Sequence, residues 1–258
     1  MGIGHSEKGL LSMHRFFVEP SQIEGHQIHI TGTDVNHIKN VLRMKIKDEI
    51  LISDGDRQEY TCYIEEMTQE EIVAHVMYVQ ESGLELSSKI YLFQGLPKSD
   101  KMELIIQKAV ELGAWEVIPV ATSRAVVKLD EKKAAKKVAR WQQIAESAAK
   151  QSKRMRIPQI HSVCSFREAL QYAEACEVKL IPYELAEGMA ATKKIISQIA
   201  PGQSVAVFIG PEGGFSEEEI AQAAEHQVQP ITLGKRILRT ETAGLAVLSI
   251  LMFHLEEN

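Results

Sequence analysis

Two glycine-containing loops hold the residues of this chain whose types and spacing suit small-molecule chemistry. The first is Ile209-Gly210-Pro211-Glu212-Gly213-Gly214-Phe215-Ser216. The second is Leu233-Gly234-Lys235-Arg236-Ile237-Leu238-Arg239-Thr240-Glu241-Thr242-Ala243. Each follows a short apolar run and each leads into a helical pattern. Gly210 and the Gly213-Gly214 pair let the backbone reach positive φ and approach a ligand closely, while Pro211 stiffens the turn. Such loops build a pocket from main-chain groups.

The flanking residues narrow the ligand. Ser216 with Glu219 forms a capping box, and three acids occupy the first turn of the following helix. Those acids suit the helix dipole but discourage an anion there. No GKS or GKT follows the glycines and no GxGxxG is present, which speaks against a phosphate cradle or a dinucleotide fingerprint. Taken alone, the first loop reads equally as a tight strand-to-helix connection. In the second loop, Thr240 or Thr242 is positioned to cap the next helix and Glu241 favours its start. Leu233, Ile237 and Leu238 flank the glycine and offer apolar surface to a flat ring.

The elements that must position these loops follow from pattern. Residues 15–18, 27–30, 49–53, 59–66 and 71–79 read as short strands, with Asp54-Gly55-Asp56 as a turn and one helix over residues 33–42. Five strands with one helix predict a small barrel. A polar linker spans residues 81–88. Beyond it, strand patterns at 90–94, 116–120, 157–161, 178–182, 205–209 and 230–233 alternate with helices, which predicts an α/β domain with a mostly parallel sheet. One helix starts near Asp100 and Glu103 and is closed by Gly113. The next places Ala134, Val138, Trp141, Ala145 and Ala148 on one face and Lys132, Lys133, Lys136, Lys137 and Arg140 on the other.

Composition sets the class. The 258 residues are 45% hydrophobic, enough for one large or two modest domains. No apolar run is long enough to span a bilayer. Residues 1–12 lack a signal-peptide pattern and are read as vector-derived, with Met13 as the native start. Three cysteines (Cys62, Cys164 and Cys176) form no CxxC pair, which predicts inert thiols in a reduced, cytoplasmic protein. No Cys/His cluster has metal-ligand spacing, so no metal is expected. The net charge is −6, yet residues 128–156 carry ten Lys/Arg against three Asp/Glu. That segment stands at +7 and the remainder at −13, a local asymmetry that suits contact with phosphates.

The loop pair, in this order, resembles the SPOUT superfamily of S-adenosylmethionine-dependent RNA methyltransferases. Within it the chain is similar to the ribosomal RNA small subunit methyltransferase E family. IGPEGGFS and LGKRILRTETA carry the likeness, with RFFV at 15–18, HIKNVLRMK at 37–45 and KAVELG at 108–113. IPVATSRAV at 118–126 and RWQQIAESAAKQSKR at 140–154 extend it to essentially the whole chain from Met13.

The resemblance implies an α/β fold: a PUA-like RNA-binding β-barrel over residues 13–84 and a SPOUT trefoil-knot methyltransferase domain over 85–258. It implies a homodimer that methylates N3 of a uridine, 1498 in the usual rRNA numbering, in 16S rRNA of the small ribosomal subunit. Neither a membrane nor a metal is implied. The methyl donor is expected against Tyr183, Gly210, Pro211, Glu212, Gly213, Gly214, Phe215, Leu233, Gly234, Ile237, Leu238, Arg239, Thr240, Thr242 and Ala243. Uracil N3 bears a proton, so the reaction needs a base or cations that stabilise the uracil anion. Arg154, Arg239 and Glu241 are the expected catalytic residues, with Arg154 favoured as the electrostatic partner. RNA contacts are expected from Arg15, His37, Lys39, Arg43, Lys45, Arg124 and Arg154. Two other readings stay open: a ribose 2′-O-methyltransferase of the same superfamily, and a non-enzymatic rRNA-binding assembly factor.

Overall fold

The computed structural model describes residues 13–55, 58–81, 85–184, 186 and 188–256. Residues 1–12, Asp56 of the turn and residues 82–84 of the linker lie outside them. The chain forms two units. One contains the residues up to Glu85 together with Lys153–Arg156; the other contains Leu86–Ser152 and the residues from Ile157 onward.

In the first unit, β1 (Arg15–Phe17), β2 (Ile23–Glu24), β3 (Gln27–Thr31), β4 (Glu49–Ser53), β5 (Gln58–Met67) and β6 (Glu71–Glu81) form one curled sheet in the order β1-β4-β5-β6-β3-β2. Its core is written in alternating positions: Ile28 with Ile30, Ile50 with Ile52, Cys62 with Ile64, and Ile72 with Ala74 and Val76. β2 is an additional strand that its two residues give too short a pattern to reveal. The expected helix over residues 33–42 is instead a single α-turn, Thr33–Asn36, running into a π-helical turn, His37–Val41.

The short segment after the long helix of the other unit belongs here because buried charges hold it. Arg154 Nε and Nη2 both bind Glu85, at 2.9 and 2.6 Å, and Glu85 also accepts from Met155 N at 2.8 Å. Arg15 pairs with Glu59 and donates to the carbonyls of Lys153 and Arg154. Burial pulls the Arg15 guanidinium below its ordinary value, against the opposing effect of Glu59 and Glu85.

In the second unit, β7 (Ile90–Gly95), β8 (Ala114–Ala121), β9 (Gln159–Ile160), β10 (Cys164–Ser165), β11 (Val178–Pro182), β12 (Val205–Ile209) and β13 (Gln229–Ile231) pair entirely in parallel. The order is β10-β8-β7-β12-β11-β13, with β9 beside β8. Helices α2 (Lys101–Glu111), α3 (Glu131–Ser152), α4 (Phe166–Tyr172), α5 (Met189–Ser197), α6 (Glu217–Glu225) and α7 (Thr240–Leu255) make the connections, α1 being Thr33–Asn36. β7 and β12 are central and buried along nearly their whole length, as the unbroken apolar run of β12 and the largely apolar one of β7 require. Gly113 closes α2 at φ 86°, as its position predicts. α3 buries Trp141, Ala145, Ala148 and Ala149, while its lysine-rich first half is solvated.

The three thiols are buried or half-buried. Burial pushes Cys62 up to about 12 and Cys164 and Cys176 up to about 11. Glu85→Ala should strip Arg154 of its partner and destabilise the protein by about 3 kcal/mol, the scale for breaking a largely buried pair. Urea denaturation of the variant measures this loss; unchanged stability would show that the pair is dispensable.

Candidate active site

The two loops meet at the carboxyl ends of the central strands. From β7 the chain leaves through α2 toward β8; from β12 it leaves through α6 toward β13, on the opposite side. The connections therefore diverge between β7 and β12, which opens a crevice of the kind in which parallel α/β sheets bind ligands. Residues 210–216 follow β12, residues 232–239 follow β13, and Tyr183 follows β11 with its N–H on Ile231 O at 2.9 Å.

Side chains lock this mouth. Thr240 Oγ1 donates to Gly210 O at 2.6 Å and accepts from Gln94 Nε2 at 2.9 Å. Gln94 Nε2 also donates to Gly95 O at 2.9 Å. One hydroxyl thus joins β7, the first loop and the start of α7. This corrects the expected cap: the N-cap residue of α7 is Arg239, without a side-chain cap, and the Thr240 hydroxyl is committed to the neighbouring loop. The Ser216–Glu219 capping box is present as its spacing predicts. Glu219 does more: its Oε1 accepts from Ser123 N at 2.8 Å while Oε2 holds Ser216 N at 2.8 Å. A buried carboxylate therefore ties the loop after β8 to the glycine loop.

Backbone approach is closest at Gly95. A Cβ there would lie 2.6 Å from Pro211 Cδ and 2.7 Å from Pro211 N. Gly210 is similarly confined, since its Cβ would meet Gly214 Cα at 3.0 Å. Gly214 and Gly234 sit at φ 66° and 108°, where other residues are strained. Nothing in the motif around Gly95 marked it beforehand.

Lys101, also unmarked by sequence, stands between two carboxylates. Its Nζ is 2.9 Å from Glu212 and 3.2 Å from Glu241. Glu212 also accepts from Lys98 N at 3.2 Å. Burial alone would raise the Glu212 carboxyl, but the hydrogen bonds from Lys101 and Lys98 and the Lys101 charge hold it below its ordinary value of 4.5. The Glu212 hydrogen bond leads the effects that raise Lys101 above 10.5.

The remaining expected residues divide. Arg124 is exposed and donates to Gly213 O at 3.2 Å, so it edges the mouth. Arg239 is exposed at the α7 start, and Ile237 protrudes from the second loop. Phe215 turns inward onto Phe166 and the sheet core. Thr242 and Ala243 lie in the first turn of α7. His37, Lys39, Arg43 and Lys45 lie on the first unit, where Lys39 donates to Thr68 O at 2.6 Å. Arg15 and Arg154 depart from expectation: their side chains are each 6% exposed and engage carboxylates. Surface contact with RNA needs an exposed guanidinium, and carboxylates 44 and 69 positions away in the chain remove it. Among the described residues no group of His, Cys, Asp and Glu could hold a metal ion.

Gly95→Ala should push Pro211 aside and lower the unfolding temperature by several degrees, a loss of about 2 kcal/mol for overpacking a rigid contact. Calorimetry gives the answer, and an unshifted transition would show that the loop yields freely. The Lys101–Glu212 contact should hold between the two ordinary values. The carboxylate's share goes as pH falls through its depressed value below 4.5, and the ammonium's as pH rises through its raised value above 10.5. Lys101→Met should lose that dependence, so the difference between wild-type and variant unfolding free energies should shrink at both pH extremes.

Comparison with known proteins agrees with this geometry. The profile of the RNA methyltransferase domain matches residues 84–252, and that of the RNA methyltransferase PUA domain matches residues 30–77. The ribosomal RNA small subunit methyltransferase E of Bacillus subtilis is 40% identical over 95% of this chain and 98% of its own length. That of Mesomycoplasma hyopneumoniae is 36% identical over 92% and 98%. The crystal structure of the Neisseria gonorrhoeae enzyme bound to S-adenosyl methionine superposes with a TM-score of 0.80 at 33% identity, covering 93% of this chain and 97% of that one. With its PUA-like first unit, its parallel-sheet second unit and this extent of identity, the chain belongs to the ribosomal RNA small subunit methyltransferase E family.

Proposed function

We propose that this protein transfers a methyl group from S-adenosylmethionine to N3 of a specific uridine, 1498, in 16S rRNA of the small ribosomal subunit. The observation that carries the reading is the locked mouth at the ends of β7 and β12. Its ingredients fit a cationic donor with a flat ring. The main chain of residues 235–238 makes no hydrogen bond to protein groups among the described residues. Ile237 and Leu238 supply apolar surface beside it, and the first-turn acids of α6 disfavour a phosphate. Residues 210–215 and 233–238, with Tyr183, would hold the donor, and the return of the chain from β13 to α7 forms the trefoil knot.

The donor supplies a methyl group on a positively charged sulfur. In the transfer a bond would form between uracil N3 and the methyl carbon, the carbon–sulfur bond would break with its electron pair left on sulfur as a neutral thioether, and the N3 proton would pass to water. The protein must hold N3 in line with that bond and favour the uracil anion. Arg239, exposed at the mouth, is the cation we assign to the anion. Glu241 shares Lys101 with Glu212, and we assign it to that contact rather than to the uracil. Its task is to hold the start of α7. Arg124 at the rim and the basic residues of the first unit contact phosphates.

The homodimer has its own support. α7 buries Val247, Leu248, Leu251 and Leu255, yet Phe253 on its other side is 86% exposed, beside exposed Ile250. A helix apolar all round asks for cover on both faces. No helix of the described residues is long and apolar enough to cross a membrane. We place the enzyme in the cytoplasm with its rRNA substrate.

The deciding assay incubates the protein and S-adenosylmethionine with small subunits from a strain lacking the gene and identifies the product nucleoside by mass spectrometry. N3-methyluridine is expected; a 2′-O-methylated nucleoside, or donor binding without any product, overturns the reading. Arg239→Ala should lower kcat by about a hundredfold or more, with donor affinity changed only a few-fold. Glu241→Gln should cost less than about tenfold. The reverse order would move the proton chemistry to Glu241.

A further inference from the structure

Residues 37–47 of the first unit read His-Ile-Lys-Asn-Val-Leu-Arg-Met-Lys-Ile-Lys, with four Lys/Arg and no Asp/Glu in a chain of net charge −6. After the π-helical turn the stretch runs as a non-repetitive loop. Three of its apolar residues point inward: Ile38 is fully buried, and Leu42 and Met44 pack on the sheet core. Its main chain is pinned. Leu42 N donates to His37 O, Met44 N to Ile38 O, Lys45 N to Asp48 Oδ2 and Lys47 N to Ile64 O, at 2.7 to 3.0 Å. Two apolar residues point outward all the same, with Val41 62% and Ile46 56% exposed. Arg43, between these two in sequence, and Lys47, directly after Ile46, sit at φ 54° and 75°. Residues with a Cβ avoid this region unless their surroundings impose it, and such strain gathers at functional positions.

We propose that this stretch is a rigid ridge that takes unpaired nucleotides of RNA, with Val41 and Ile46 against base faces and Arg43 and Lys47 on the flanking phosphates. The proposal rests on the rRNA substrate reading above and adds the kind of RNA structure recognised. In an A-form duplex the base faces are stacked and the major groove is too deep for side chains. An aliphatic pair finds a partner only where bases are splayed apart. The single-sign charge suits phosphates on either side. Because Ile38, Leu42, Met44 and the pinned main chain fix the ridge beforehand, little ordering is left for binding to pay.

The test uses fluorescence anisotropy of the full chain with a labelled unstructured RNA of about 20 nucleotides, a duplex of equal length, and phosphatidylglycerol vesicles, over a range of salt. V41S/I46S should weaken single-strand binding about tenfold at an unchanged salt slope. V41L/I46L, which keeps the apolar surface, should bind as wild type. R43Q/K47Q should weaken binding and lower the salt slope by about two. In the methylation assay V41S/I46S should raise KM for small subunits and leave kcat at saturation unchanged. Wild-type affinity in V41S/I46S, equal preference for duplex, or capture by vesicles in place of RNA overturns the proposal; the last would make the ridge a membrane contact. Failure of the wild type to methylate rRNA sinks the substrate reading itself. Methylation by wild type with unchanged KM and RNA affinity in V41S/I46S sinks the ridge alone. Matching melting curves establish that the variants fold, as the outward placement of both side chains predicts.

Discussion

The hydroxyl of Thr240 holds together the part of the structure on which the chemistry depends. It receives Gln94 from β7 and gives its proton to Gly210 at the end of β12. Without it, the last helix would lose its direct hydrogen bond to the first loop at the crevice, leaving the bridge through Lys101. Gln94 and Thr240 are both buried, so the bonds form where water does not compete. Gly95 makes the arrangement possible by letting Pro211 approach more closely than any side chain would allow. Glu219 and Lys101 then brace the mouth from two further directions. All these contacts join residues far apart in the chain, and so the loops acquire a fixed shape only once the sheet has formed.

That dependence explains which features were legible in the sequence. Local devices were readable because their partners lie within one turn: the Ser216–Glu219 box, the helix stop at Gly113 and the unbroken apolar run of β12. The two-unit architecture was readable from the change of period after the linker. The two glycine-containing loops that border the mouth stood out by residue type. The partners of its charged groups were another matter. Arg15 and Arg154 look like surface cations in any local window, and only the tertiary structure brings Glu59 and Glu85 to them. Lys101 stood unremarked in a helical pattern because its two carboxylates come from residues 212 and 241. Thr240 had a sound local role as a helix cap, and a tertiary acceptor claimed its hydroxyl instead.

The same contrast runs through the electrostatics. The basic stretch over residues 128–156 is one asymmetry in the sequence but two environments in the structure. Its first half, on α3, is solvated. At its end the Arg154 side chain is buried and satisfies a half-buried carboxylate, Glu85. Charge counted along a chain gives an upper limit to the charge a partner meets.

The placement of Lys153–Arg156 changes what a domain means in this protein. The first unit is not a continuous piece of chain, since four of its residues arrive only after the long helix of the second unit has been made. A fragment ending at the linker would expose Glu85 and Arg15 without the groups that complete them. Evolution by exchange of whole modules, and engineering by the same route, therefore meet an obstacle here. A transplanted RNA-binding unit would have to carry a tetrapeptide written in its neighbour's sequence.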